Sequence, residues 1–169
     1  MATRQTAGYT AVPARPFYNQ GESRQTVNAV VSVLSTWNDA DVVILARNLP
    51  IDTIVSRLTL PAGWTAITAA TDYDIGFYKP ADADAQGLGD ALDADILVDG
   101  YDFDAASSTT GVDILGTNVT LAKNSTIGDL LSLTSETYPA GGVHLCMTLN
   151  TAGTANGTLD FDIELAMAH

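Results

Sequence analysis

The sequence predicts an all-β chain, a β-sandwich or jelly roll of mainly antiparallel strands, and three observations carry that expectation. First, two carboxyl-terminal segments alternate strictly: Val143, Leu145, Met147 and Leu149 against His144, Cys146 and Thr148, then Leu159, Phe161, Ile163, Leu165 and Met167 against Asp160, Asp162 and Glu164. Such alternation means one buried and one wet face, which antiparallel sheets allow. Second, apolar and β-branched runs of strand length recur between Pro, Asp and Gly punctuation. Third, helical spacing occurs in one short stretch, so one or two small helices at most are expected.

The elements follow in chain order. Residues 1–26 hold Arg4, Arg15 and Arg24 against the single acid Glu22, with Pro13 and Pro16, and read as an extended amino-terminal arm; residues 27–169 form a single sandwich domain. TVNAVVSVL is the first strand, with Val27, Ala29, Val31 and Val33 on one face. DVVILARNL and TIVSRLTL follow, then DYDIGFYK with Tyr73, Ile75 and Phe77 opposite Asp72, Asp74 and Gly76. The stretch 79–111 reads as a long acidic loop with a short element around Ala91–Val98. STIGDLLSL gives a short helix with Ser125 as N-cap and Asp129 in its first turn. TAGTANG reads as the hairpin loop between the last two strands.

Composition narrows the function classes. A chain of 169 residues with 46% hydrophobic residues can bury one core. Charged residues reach only 16%, against about 25% in an average soluble protein, so Thr, Ser, Asn and Gly must cover much of the surface. The formal charge of −13 repels phosphate backbones and anionic lipid, which argues against nucleic-acid and membrane partners. No apolar h-region opens the chain and no run approaches a membrane span, so a protein made and kept in a cytoplasm, or released by lysis, is expected, and the sequons at Asn118, Asn124 and Asn156 are read as turn chemistry.

Few residues could carry catalysis. Only His144 and His169 are histidines, and Cys146 is the single cysteine. His144 and Cys146 share one strand face, a spacing suggestive of thiolate activation, but no nucleophile elbow or oxyanion donor accompanies them, so no enzyme is expected. Asp-x-Asp pairs recur, and Asp82, Asp84, Gln86, Gly87 and Asp93 imitate an EF-hand loop. Asp93 stands where the bidentate Glu belongs and no helix leads in, so calcium should be dispensable and no metal or cofactor is expected.

The order of these elements, from the arm through ILARNLPIDTIVSRLTLPAG, DYDIGFYK, DADILVDGYDFDAA and STIGDLLSL to YPAGGVHLCMTLNTAGTANGTLDFDIELAM, resembles small structural proteins of tailed-bacteriophage virions, in particular capsid decoration or cement proteins. The resemblance spans residues 27–167 and implies a sandwich that binds the major capsid protein on the exterior of the assembled head, stiffens it, and forms a homotrimer. Related textures in tail and neck components provide one alternative. A carbohydrate-binding sandwich using Trp37 and Trp64 provides another. Within the arm, Arg4, Arg15, Phe17 and Tyr18 are the candidate anchors to capsid or neighbouring subunit, since Arg and aromatic side chains dominate many interfaces.

Overall fold

A computed structural model describes residues 3–5, 24–64, 66–81, 84–104, 111–115 and 125–168. Its strands are β1 (Thr3–Gln5), β2 (Arg24–Val33), β3 (Val42–Leu49), β4 (Thr53–Leu60), β5 (Asp72–Ala81), β6 (Asp84–Tyr101), β7 (Val112–Asp113), β8 (Val143–Thr151) and β9 (Gly157–Met167), with helix α1 at Ile127–Leu130. Sheet A has the order β1-β3-β8-β5-β6 and sheet B the order β2-β9-β4-β7.

The antiparallel pairs are nested: β2 with β9, β3 with β8, β4 with β7, β5 with β6. Nested pairing is what one long β-ribbon gives when it is rolled into a barrel-like sandwich, and the further β4–β9 and β5–β8 ladders close the two sheets. The connectivity is that of a jelly roll. The alternating residues supply the core: Ala29, Val31 and Val33 from β2 and Leu159, Phe161, Ile163 and Leu165 from β9 face Tyr73, Ile75 and Phe77 of β5 and Val143, Leu145, Met147 and Leu149 of β8. The fold class, the sandwich and the placement of β2, β3, β4, β5, β8 and β9 agree with the sequence reading, whereas β1 and β7 are not anticipated by it.

Five local expectations are corrected. The segment 84–101 is a strand, not an acidic loop. Between the Tyr73–Tyr101 and Ala81–Asp84 pairs β5 advances eight residues and β6 seventeen, so β6 bulges repeatedly away from its partner. TAGTANG is not a hairpin loop, because β8 and β9 lie in different sheets. Their apolar faces oppose each other across the core, and the connection instead packs on the 66–70 segment, with the Thr154 amide donating to Thr68 O at 2.8 Å. Asn156, in the same connection, accepts the Ser35 amide at 2.8 Å, as turn chemistry requires. The helix is a single turn capped by Thr126 rather than Ser125: Thr126 Oγ1 accepts the Asp129 amide, and Asp129 accepts the Thr126 amide. Ser132 at φ 53 ends it. The strand expected from Thr26, β2, begins at Arg24. Finally, the start of the arm belongs to sheet A, since Thr3–Gln5 pairs in parallel with Val42–Ile44 of β3.

Candidate functional site

The far face of sheet A, turned away from the core, holds the histidine and cysteine that sequence chemistry singles out. The register sets Thr148, Cys146 and His144 of β8 beside Asp74, Gly76 and Tyr78 of β5, with Val42 and Ile44 of β3 on the other side. Alternation predicts a wet face here, yet His144 and Cys146 are fully buried and Thr148 and Asp74 nearly so. The excess length of β6 accounts for it. Leu88 and Ala94 pack over Val42, Ile44, Tyr78 and Cys146 as a second, smaller core.

Gly76 permits that cover. A Cβ there would lie 2.1 Å from Asp93 O and 2.5 Å from the Ala94 carbonyl carbon, so the β6 backbone crosses in the space a side chain would fill. A glycine inside an alternating strand was the available signal for such a close approach. The length of β6 was hidden, because its acids and glycines read as loop.

The polar groups of this face are matched to one another and to backbone. Asn48 donates its amide to His144 Nδ1 at 3.2 Å, which makes Nδ1 the acceptor and leaves Nε2–H to donate to Gly87 O at 3.1 Å. The imidazole therefore bridges β3 and β6. Tyr78 and Thr148 share a buried hydroxyl pair at 2.7 Å, and burial raises the Tyr78 phenol. Asp74 accepts the Gly100 amide at 2.8 Å and the side-chain amide of Asn150.

Burial pushes the Cys146 thiol far above its ordinary range, and the Arg47 guanidinium pulls only partly the other way. A thiol held protonated under β6 is a packing group. Cys146 is therefore expected to resist a thiol reagent such as dithionitrobenzoate in the native protein at pH 8 and to react stoichiometrically in denaturant. Rapid native labelling would show that β6 opens freely.

The remaining candidates are placed as follows. Arg4 stands in β1 opposite Val43, while Arg15, Phe17 and Tyr18 lie outside the described residues. Trp37 and Trp64 are buried and belong to the main core, so neither offers the exposed platform a carbohydrate reader needs at those positions. Of the EF-hand-like set, Asp82 lies outside the described residues, and residues 84–93 run along β6 rather than around a loop. Burial, with hydrogen bonding and charge from Asp95, holds the Asp93 carboxyl above its usual range. No group of three or more metal-ligating side chains converges among the described residues.

Sheet B presents the contrasting surface. Its outer face carries Arg24, Thr26, Asn28, Val30 and Ser32 of β2 beside Thr158, Asp160, Asp162, Glu164 and Ala166 of β9, mostly polar with Val30 and Ala166 as its apolar members. Asn28 donates to Asp160 at 2.6 Å and to Asp162 at 3.2 Å, and Arg24 pairs with Glu164 at 3.2 Å. Exposed pairs of this kind add under about 1 kcal/mol each, but they organise a polar, partly neutralised face. Comparison with protein families, with curated proteins and with solved structures found no match to this chain.

Proposed function

We propose that the chain is a structural protein of a tailed-phage virion that binds the exterior of the assembled head and stabilises it, acting on the major capsid protein through surface contacts rather than through a reaction. The observation that supports this reading best is the division of labour in the sandwich. Sheet A is packed on both faces and sealed by β6, whereas sheet B keeps one broad polar face outward. Jelly rolls occur in viral capsid and lectin domains, and that likeness is one of fold alone. The buried tryptophans weigh against the lectin-like use. The arm adds a basic segment to a strongly acidic body, and its described residues Thr3–Gln5 extend a sheet edge.

The test is cosedimentation of the purified protein with intact heads of the phage that encodes it, alongside its copy number in purified virions. Saturable binding at a fixed ratio to the major capsid protein is expected. Absence from virions, or retention only on isolated tails, would replace this reading with another.

A further inference from the structure

The four sheet edges are not alike. On sheet A, the edge strand β1 is three residues long, and β3 beyond it is interrupted by two register shifts against β8, while β6 is bulged throughout. On sheet B, β7 is two residues long. Bulges, short strands and covering segments are the usual devices that stop an edge from pairing with another chain. The fourth edge, β2, has none of them. It runs ten residues in unbroken register with β9, contains no proline, and no strand pairs with its other side among the described residues.

We propose that the free edge of β2 is a homodimer interface, in place of the three-fold assembly that the resemblance implies, at which two copies pair β2 to β2 antiparallel about a two-fold axis at Asn28, joining the two B sheets into one. Side-chain parity allows this register. Residues directly opposite must share a face, so Thr26 meets Val30 of the partner subunit, Arg24 meets Ser32 of the partner subunit, and Val27 meets Ala29 of the partner subunit. No like charges oppose one another, and β2 carries no acid in a chain of charge −13. The acids on β9 directly behind the edge are held by Asn28 and Arg24. Val27, half-buried on the inner face of the edge strand and packed against the core, would be covered further by the pairing. Self-complementarity of this kind selects a second copy of the chain as the occupant.

The register makes a cross-linking test. Cα atoms of a directly opposed antiparallel pair lie about 4.5–5.5 Å apart, within the reach of a disulfide. Asn28→Cys in the full chain should form a covalent dimer under mild oxidation, visible on a non-reducing gel. Ser32→Cys, exposed on the same face but remote from its own copy, should stay monomeric. The double variant Thr26→Lys/Val30→Lys places two lysine pairs face to face at the solvent side. It should weaken dimerisation at least tenfold by sedimentation equilibrium while the melting temperature extrapolated to low concentration stays unchanged. Head binding is measured separately, so loss of the dimer and loss of the lattice contact are distinguishable. A strict monomer at high concentration, equal cross-linking of both cysteine variants, or a three-fold oligomer indifferent to the lysines would overturn the proposal.

Discussion

Gly76→Ala is expected to destabilise the protein by about 3 kcal/mol or more, the upper end for a side chain forced into a packed site. For a chain of this size that is a fall of roughly 6–12 °C in melting temperature. The new Cβ would meet backbone on every side, at 2.1 Å from Asp93 O, 2.5 Å from Ala94 C and 2.7 Å from Ala94 O, so no side-chain rotation can relieve the overlap. Either β5 or the β6 crossing must move. Moving β6 lifts Leu88 and Ala94 from the second core and loosens the Gly87 carbonyl from His144. The variant should therefore show a second change that ordinary destabilisation lacks: Cys146 becomes reactive under native conditions. Gly63→Ala provides the comparison. It meets no atom within 4 Å, so it should cost only the strain of a side chain at φ +91, about 1–2 kcal/mol, and leave Cys146 sealed. If Gly76→Ala melts within 2 °C of the parent and keeps its thiol protected, the crossing is not held by that glycine.

The same region separates what a sequence reader can see from what it hides. Period-2 alternation located β8 and β9 to within a residue or two, because each strand has one face against the shared core and that requirement acts locally. Alternation also misled. His144, Cys146 and Thr148 alternate as a wet face would, yet a distant segment covers them, and nothing in β8 itself encodes the cover. The covering strand was illegible for a related reason. Asp90, Asp93, Asp95 and Asp99 with Gly87 and Gly89 are depleted in ordinary strands, but a bulged edge strand has no strict inward and outward alternation to satisfy. The hairpin expectation after β8 fails because adjacency in sequence is not adjacency in a sheet: nested ribbon pairing sends β8 and β9 to opposite sheets. The polar face of sheet B was fully legible, since Asp160, Asp162 and Glu164 sit on the solvent side that their spacing requires.

Phe103→Ala is expected to have an effect as large as any single core truncation here, about 3–5 kcal/mol. The residue follows β6 in a stretch whose acids and glycines resemble a loop, and the sequence gives it no periodic partner. In the fold it is the aromatic hub. Its ring is fully buried and lies 4.8 Å from Tyr101, 5.2 Å from Tyr73, 5.9 Å from Trp64 and 6.3 Å from Phe161, three of the four contacts edge-to-face. Each such pair adds about 0.5–1.5 kcal/mol beyond its buried area, so truncation removes both the area and the pairing geometry. The backbone around it also closes the end of the sandwich. The Ile67 amide donates to Phe103 O at 2.8 Å and the Phe103 amide donates to Ala70 O at 2.7 Å, fixing the connection between β4 and β5 against the end of β6. Losing the ring should therefore loosen Trp64 before the sheets separate. The near-ultraviolet circular dichroism and the tryptophan emission should shift in native buffer, with a melting temperature lower by roughly 6–20 °C. Phe103→Leu, which keeps most of the volume but none of the ring geometry, should lose less than half as much stability while removing the same spectroscopic signature. A Phe103→Ala protein that melts within 2 °C of the parent, or one whose tryptophan spectra are unchanged, would show that the hub is dispensable and that the β8 and β9 core holds the sandwich without it.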